Sequence, residues 1–348
     1  MSEMLWKLYL WNKNKNRRKG AEYAPKNRMI LTITPNPSVD ISYKIDTLKI
    51  DDVNRCNQVR KTAGGKGLNV TRVLNQLGPK IEATGFLGGI LGKFIEEELE
   101  KLEVATSFIK TDSNTRNCIA ILHDNGNQTE ILEQSEEIDS KFEEEFMKKI
   151  ESIMMDKDVI TCSGSLPKGI SEDFYLEVIK ASNKLGKKII ADTSGKQLEK
   201  IVMGKDKPFA IKPNVDEIRD LLKKCGHDEW NRSDLVIDDG NIGKILNSHA
   251  FKGIELVLVS AGKSGGYFRY NGEVFKISIP VIKAANPVGS GDSTVAGLAY
   301  GIDSGKDIET SVKIAMTCGV LNAAEEITGY INIDNFDEIY SKIEIERI

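Results

Sequence analysis

The sequence predicts an α/β fold in which a parallel β-sheet lies between two layers of helices, with a small β-sheet beside it. Short apolar runs rich in β-branched residues alternate along most of the chain with amphipathic helical stretches, which is typical of a parallel sheet covered on both faces. Residues of about 41–60 alternate apolar and polar, as a strand pair with one open face does. About 106–133 contains further short strands around an Asn125-Gly126 turn. These two segments predict the small sheet.

The main elements follow from local patterns in chain order. The apolar run at 29–34 predicts a buried strand that ends at Pro35-Asn36-Pro37. After Gly64-Gly65, apolar residues at helical spacing predict a helix that ends at Gly78-Pro79. Further strands are expected at 83–87, 159–162, 188–192, 209–211 and 256–260, and further helices at about 92–103, 141–154, 172–185, 214–224, 241–251, 291–303, 307–325 and 334–343.

Composition and charge limit the class of protein. The 348 residues are 40% hydrophobic and 29% charged, which excludes a disordered chain, and no apolar run is long enough to cross a bilayer. Residues 1–28 hold eight Lys or Arg against two Glu, and the other 320 residues carry a net charge of −10. Because nucleic-acid binding needs a basic face, we expect no nucleic-acid partner. We expect a disordered extension at 1–28 and one domain at 29–348.

Cysteine and histidine usage points to a reducing compartment. The five cysteines are an odd number, lie far apart and form no C-x-x-C, which argues against a disulfide framework or a zinc cluster. The three histidines have no metal-binding spacing. The basic extension lacks the order of segments that a signal peptide shows. We therefore expect a cytoplasmic protein.

The richest motif is Asn286-Pro287-Val288-Gly289-Ser290-Gly291-Asp292, which precedes a helix of small residues. Its glycines allow backbone amides to turn inward at a helix N-terminus, where the helix dipole favours an anion. A carboxylate there is costly unless it accepts a proton from a nucleophile, so Asp292 is a candidate general base. The alternative is that Asp292 only caps the helix.

Two other loops follow predicted strands. Asn214 and Glu217, three apart at a helix start, suit the waters of a Mg²⁺ ion, and they equally suit a capping box. Gly262-Lys263-Ser264 resembles the end of a Walker A loop, but Val257 stands where that motif needs Gly. The loop at Gly262-Lys263-Ser264 is therefore not a P-loop. It is either part of a ligand site or a hairpin turn.

A fourth group of residues suits a sugar phosphate. Gly64 and Gly65 permit a ligand to approach the backbone closely. Asp40 and Asn69 can pair with hydroxyls, and Lys66 with Arg116 can neutralise a phosphate. Each of these residues alone has an ordinary structural explanation, so the prediction depends on the whole set.

Together these motifs resemble the ribokinase-type carbohydrate kinases, in the branch that holds the 1-phosphofructokinases and tagatose-6-phosphate kinases. The resemblance rests on N-P-S-V-D, A-G-G-K-G-L-N-V, K-P-N-x-x-E, S-x-G-x-x-G and V-G-S-G-D, and runs from Met29 to about residue 345. It implies a ribokinase-like sandwich whose small sheet is a lid over the sugar and pairs with a second lid in a homodimer. Residues 1–28 have no counterpart.

The resemblance also implies roles for individual residues. Asp292 would be the catalytic base, with the backbone of Gly289, Ser290 and Gly291 around the transferred group. Asp40, Gly64, Gly65 and Asn69 would bind the sugar, while Lys66, Arg116 and Arg55 would bind its 6-phosphate. Lys212, Ser260, Gly262, Gly265 and Asn322 would bind ATP, and Asn214 and Glu217 would organise Mg²⁺.

The expected activity is ATP-dependent phosphorylation of a ketohexose 6-phosphate at its C1 hydroxyl, with tagatose 6-phosphate as the first choice. A 1-phosphofructokinase or 6-phosphofructokinase of the same family is the alternative. A sugar-phosphate sensor without catalysis is a third reading, but such a protein is expected to lose the base or the metal-organising Glu, and this chain keeps Asp292 and Glu217.

Overall fold

The computed structural model describes residues 29–124, 127–224 and 236–348. The extension at 1–28, the Asn125-Gly126 turn, Cys225 and His227 lie outside these ranges. The strands are β1 Met29–Thr34, β2 Ser38–Lys44, β3 Gln58–Gly64, β4 Lys80–Gly88, β5 Ala105–Thr106, β6 Ile109–Thr111, β7 Arg116–His123, β8 Asn127–Leu132, β9 Val159–Ser163, β10 Lys188–Asp192, β11 Ala210–Ile211, β12 Leu256–Ser260, β13 Gly266–Tyr270, β14 Glu273–Ser278 and β15 Glu344–Arg347.

Helices alternate with most of these strands. They are α1 Lys66–Leu77, α2 Gly89–Lys101, α3 Ser140–Met154, α4 Phe174–Lys184, α5 Gly195–Met203, α6 Val215–Lys224, α7 Ile242–Leu246, α8 Ser290–Asp303, α9 Ile308–Ala323 and α10 Phe336–Ser341, with short 3-10 turns at His249–Phe251, Gly262–Ser264 and Ile333–Asn335.

The main sheet has the order β15-β14-β13-β12-β11-β10-β9-β1-β4-β5, and β6 also pairs with β4. All pairs from β12 to β5 are parallel. Ile30 packs into one apolar cluster with α1, α8 and α9, and its neighbour Leu31 packs into a second cluster with α3 to α7. This alternation buries both faces of the sheet, so the predicted fold class is confirmed.

The edge beyond β12 differs from the sequence prediction. There β12, β13, β14 and β15 pair antiparallel. The turn between β13 and β14 is Asn271-Gly272, with φ values of 51° and 81°, as a type I′ hairpin requires. This Asn-Gly pair was the available sequence signal for a hairpin, and it was missed.

The small sheet has the order β3-β2-β7-β8 and is called the lid from here on. Its strands begin at Ser38 and end at Leu132, and residues 45–57 connect β2 to β3. The short strands at 105–111 pair with β4 of the main sheet instead, so the lid takes up less of 106–133 than the sequence suggested. The predicted helix at 241–251 is the short α7 followed by a 3-10 turn.

Candidate active site

The carboxyl ends of the parallel strands meet below the lid and form a cleft of about 360 Å³. Ligands bind at this edge in open α/β sheets, because loops diverge there and leave a crevice. Ser163 at the end of β9 and the next two residues, Gly164 and Ser165, lie on the cleft wall, with Ser194 from the loop after β10. The lid supplies the opposite wall through Asp40, Arg60 and Arg116, among others.

Asp292 lies in the first turn of α8, after Gly289, whose φ is 84°. The first N–H groups of a helix have no intrahelical acceptor, so the amides of this turn are oriented as an anion site requires. Asp292 is 6% exposed, and its Oδ2 accepts a hydrogen bond of 2.7 Å from Asn69 Nδ2. Burial, followed by the charge of Asp192, raises the pKa of Asp292 from 3.8 to about 7. A carboxyl group with this pKa can exchange a proton near neutral pH.

Two lysines face the buried pair Asp192 and Asp292. Lys212 Nζ lies 3.3 Å from Asp192 Oδ1, and Lys66 Nζ lies 4.0 Å from Asp192 Oδ2. The negative charge of Asp192 raises the pKa of Lys66, with smaller contributions from Asp292 and Glu217. Sequence reasoning paired Lys66 with Arg116, whereas the structure brings Lys66 to the carboxylates around the candidate base.

The glycine pair before α1 fits against the lid carboxylate. A Cβ at Gly64 would lie 2.0 Å from Asp40 Cγ, so a side chain there is excluded. Gly65 has a φ of 97°, a conformation that favours glycine. Asp40 Oδ1 accepts a hydrogen bond of 2.7 Å from Ser38 Oγ. Burial raises the pKa of Asp40, while Ser38 and the charges of Arg72 and Arg116 lower it.

Arg116 and Arg60 bring positive charge to the lid side of the cleft. Arg116 Nη1 donates to Glu133 O at 3.0 Å, and its buried Nε has no acceptor among the described residues. Arg55 is exposed in the connection between β2 and β3, and the cleft lining of the described residues includes Arg60 instead. Thr62, two residues after Arg60 on β3, also lines the cleft. Because alternate residues of a strand share a face, the position of Arg60 two residues before this cleft-lining threonine was the available sequence signal.

The loops after β11 and β12 lie side by side, because Asn214 and Ser260 form a parallel β-bridge. Asn214 N donates to Glu217 Oε2 at 2.9 Å, and Glu217 N donates to Asn214 Oδ1 at 2.8 Å. This is the reciprocal capping box. It occupies one of about four acceptor positions on the Glu217 carboxylate, so the same carboxylate fits a hydrated Mg²⁺ ion as well.

The loop from Ala261 to Gly265 is the hairpin turn between β12 and β13, and Ala261 N donates to Gly265 O at 2.9 Å. A Cβ at Gly265 would lie 2.0 Å from Ile277 O, while a Cβ at Gly262 would meet open space. Gly265 therefore has a packing reason to be glycine. Gly262 faces open space next to Ser260, where a nucleotide can approach.

Asn322 on α9 is fully buried. Its Nδ2 donates to Ile327 O at 3.2 Å and to Tyr330 O at 3.0 Å, so this side chain holds the segment 324–330 in place. The same segment contacts the anion loop, since a Cβ at Gly289 would lie 2.6 Å from Thr328 Cγ2. Asn322 therefore supports the loop behind Gly289. Its Oδ1 is buried without a hydrogen-bond partner among the described residues, and its contact with an adenine stays a prediction.

Comparisons with known proteins agree on one family. The sequence profile described as "pfkB family carbohydrate kinase" matches residues 33–334. Two curated relatives from strains of Staphylococcus epidermidis, both called tagatose-6-phosphate kinase, are 45% identical over 320 residues, which is 92% of this chain and 100% of each relative.

Solved structures share the fold. A crystal structure of a possible 1-phosphofructokinase from Thermotoga maritima has a TM-score of 0.80 and 25% identity, covering 92% of this chain and 100% of that one. Phosphofructokinase-2 from Escherichia coli in complex with fructose-6-phosphate has a TM-score of 0.77 and 22% identity, covering 90% and 98%. Within the described ranges of this chain, no helix is both long and apolar enough to cross a membrane.

Proposed function

The chain belongs to the pfkB family of carbohydrate kinases, and from that premise we propose that it transfers the γ-phosphate of ATP to the C1 hydroxyl of D-tagatose 6-phosphate. The 45% identity to tagatose-6-phosphate kinases over their whole length supports this choice of sugar. The observation that carries the chemistry is the buried Asp292 in the glycine-rich turn at the start of α8. The product is D-tagatose 1,6-bisphosphate, with ADP as the leaving group.

In the proposed reaction, the C1 oxygen attacks the γ-phosphorus in line, and the bond from that phosphorus to the bridging oxygen of ADP breaks. The Asp292 carboxylate accepts the hydroxyl proton as the new P–O bond forms. Catalysis of this kind depends mainly on positioning and electrostatics. The amides at the start of α8, from Gly289 to Asp292, stabilise the negative charge of the group in transfer.

The cations of the cleft divide between its two ends. We assign Lys66 and Lys212 to the phosphoryl group in transfer, because both lie beside Asp192 at the end that holds Asp292. We assign the 6-phosphate to Arg116, with Arg60, on the lid. The buried Nε of Arg116 has no acceptor among the described residues. Because a buried donor without an acceptor is costly, this atom favours a bound anion beside Arg116.

Sugar hydroxyls are assigned to Asp40 and Asn69, with the Gly64-Gly65 backbone beside them, and ATP to the loops of Ser260, Gly262 and Gly265. Asn214 and Glu217 would hold Mg²⁺ through its waters, and the ion would neutralise charge on the phosphates. The residues present fit this ion, because the Glu217 carboxylate lies at a helix start and is bonded to Asn214, which pairs with Ser260. Since the phosphate donor is ATP, we place the reaction in the cytoplasm.

A coupled assay of ADP release tests the proposal. Tagatose 6-phosphate, fructose 6-phosphate, fructose 1-phosphate and unphosphorylated tagatose are compared by kcat/KM, and phosphorus NMR identifies the phosphorylated carbon. We expect the highest kcat/KM for tagatose 6-phosphate and a 1,6-bisphosphate product. A higher value for either fructose phosphate would assign the alternative activity. No turnover of any ketose phosphate would contradict the kinase reaction.

We also propose that two copies pair through their lids. The face of the lid turned away from the cleft exposes Val59 and Ile131, each about half exposed, while their strand neighbours Arg60 and Leu132 line the cleft. Exposed apolar side chains on such a face favour a protein contact. Light scattering should report twice the 38.6 kDa of one chain. Ile131→Glu should give a monomer, and a dimer of unchanged stability in this variant would exclude this surface as the interface.

A further inference from the structure

Arg72 joins three parts of the cleft wall through one guanidinium group. It lies on α1, three residues after Asn69, so both side chains leave the same face of the helix. Its Nη2 donates to Asn69 Oδ1 at 2.6 Å and to Thr328 O at 2.7 Å. Its Nη1 donates to Ala63 O, just before the glycine pair. A Cβ at Gly329 would lie 2.7 Å from Arg72 Nη2, so the group fits closely against the segment 324–330.

The contact with Arg72 decides which way the Asn69 amide faces. Arginine has only donors, so the amide atom that meets its Nη2 must be the oxygen. The NH₂ group of Asn69 then points to the other side, where it donates to Asp292 Oδ2 at 2.7 Å. Without the arginine, the amide could turn over and present its oxygen to the carboxylate, which would be repulsive.

The other groups that face Asp292 affect its pKa in opposite directions. Asp192 at the end of β10 disfavours its charged form, as does burial, while Lys66 at the start of α1 and Lys212 after β11 favour it. The hydrogen bond from Asn69 also favours the charged form. A base must be ionised before it can accept a proton, so the orientation of one amide affects the fraction of active enzyme.

We propose that Arg72 is a positioning residue for phosphoryl transfer: it holds the amide oxygen of Asn69 and thereby turns the amide NH₂ toward Asp292, which fixes the orientation of this carboxylate. The proposal rests on the assignment of Asp292 as the base. Arg72 touches neither sugar nor nucleotide in this scheme, and acts through Asn69.

Two substitutions of Arg72 test the proposal. Arg72→Met keeps the apolar stem and removes every donor, and Arg72→Lys keeps the charge but cannot reach several acceptors with a planar fork. We expect kcat at pH 7 to fall about 10- to 100-fold in Arg72→Met, as for the loss of a hydrogen bond to a charged group, and less in Arg72→Lys. The KM for ATP should change less than threefold.

The pH profile of kcat shows whether Arg72 orients the Asn69 amide or only supports the segment 324–330. Because the carboxylate loses a hydrogen bond that favours its charged form, the acid limb of kcat should move to higher pH by about one unit in Arg72→Met. Activity should therefore recover in part at pH 9. An acid limb at the wild-type pH would contradict the proposal.

Gln76→Met is the matched control. Gln76 Nε2 donates to Gly329 O at 3.0 Å and to the backbone oxygen of Arg72 at 2.8 Å, and Gln76 Oε1 accepts from Ile331 N at 2.9 Å. The variant therefore loosens the segment 324–330 but leaves the Arg72 guanidinium and its bond to Asn69 in place. We expect its kcat and acid limb to stay at the wild-type values. If Gln76→Met and Arg72→Met lose the same activity, Arg72 only tethers the segment.

The base assignment can fail separately from this inference. Near-wild-type kcat in Asp292→Asn would remove Asp292 as the base. A large loss in Asp292→Asn together with wild-type kinetics in Arg72→Met would leave the proposed function in place and overturn only the role of Arg72.

Discussion

Replacing Asp292 by asparagine should abolish most activity and at the same time stabilise the fold. Asparagine keeps the shape of the side chain, and its Oδ1 can accept the hydrogen bond from Asn69 that Asp292 Oδ2 accepts at 2.7 Å. It cannot accept the substrate proton. Loss of a general base lowers kcat by about 10² to 10⁴-fold, and we expect little change in the KM of the sugar.

The gain in stability follows from the pKa of Asp292. Burial and the charge of Asp192 raise this pKa from 3.8 to about 7, which is a shift of about three units. At 1.36 kcal/mol per unit, the charged carboxylate costs the folded state up to about 4 kcal/mol. The neutral amide carries no such cost. For a chain of this size, a change of that order moves the Tm by roughly 5 °C.

The difference should depend on pH in a defined direction. Between the unfolded value of 3.8 and the folded value of about 7, unfolding releases a proton, so the wild-type protein loses stability as the pH rises through this window. The Tm of Asp292→Asn should match that of the wild type near pH 4 and exceed it increasingly up to about pH 8.

Differential scanning calorimetry at several pH values, combined with the coupled kinase assay, measures both effects. Asp337→Asn is the control, because Asp337 is exposed on α10 and its loss should leave kcat and Tm unchanged. A lower Tm for Asp292→Asn at pH 8, or a Tm difference independent of pH, would refute the reasoning about burial. A kcat within a few-fold of wild type would refute Asp292 as the base.

Three further predictions concern the sugar site and the extension. Arg116→Ala should cost about 2 to 5 kcal/mol of transition-state stabilisation, which lowers kcat/KM for the phosphosugar by roughly 30-fold to several thousand-fold. A raised KM for ATP, with kcat/KM for the phosphosugar within threefold of wild type, would contradict the assignment of Arg116 to the 6-phosphate. Gly64→Ala should displace the Asp40 carboxylate, whose Cγ lies 2.0 Å from the new Cβ, and lower kcat/KM for the sugar by about tenfold or more. Gly243→Ala is the control and should be neutral, because its Cβ meets open space. Equal effects of the two variants would exclude the steric argument. Deleting residues 1–28 should leave activity unchanged because the first core strand begins at Met29, and a Tm drop of more than a few degrees would show that the extension packs on the domain.

Much of the fold could be predicted because its signals are local. Alternating apolar runs and amphipathic stretches indicated β1, β4, β9 to β12 and most helices, and parallel pairing follows from that alternation. The antiparallel edge was missed although Asn271-Gly272 marks its turn. β15 could not be placed at all, since its pairing with β14 joins residues about 70 positions apart, a distance at which the sequence pattern carries no register.

The position of the candidate site was also predictable. Polar and glycine-rich loops after successive strands indicated one ligand site, because the carboxyl ends of parallel strands meet at one edge of the sheet. The capping box of Asn214 and Glu217 was predictable for the same reason, since its two hydrogen bonds form within one helical turn. Whether this pair also organises Mg²⁺ stays a prediction.

By itself, the sequence determined the fold class, the family and the loops that form the cleft, because each of these depends on local patterns or on the order of motifs. Only the tertiary structure decided which side chains meet. It placed Arg60 on the cleft and Asn322 in the core. It also joined Asn69 to Asp292 across 223 positions of sequence. Which side chains form hydrogen bonds, and how far a pKa is shifted, depend on distances and burial in three dimensions. No local sequence pattern encodes these quantities.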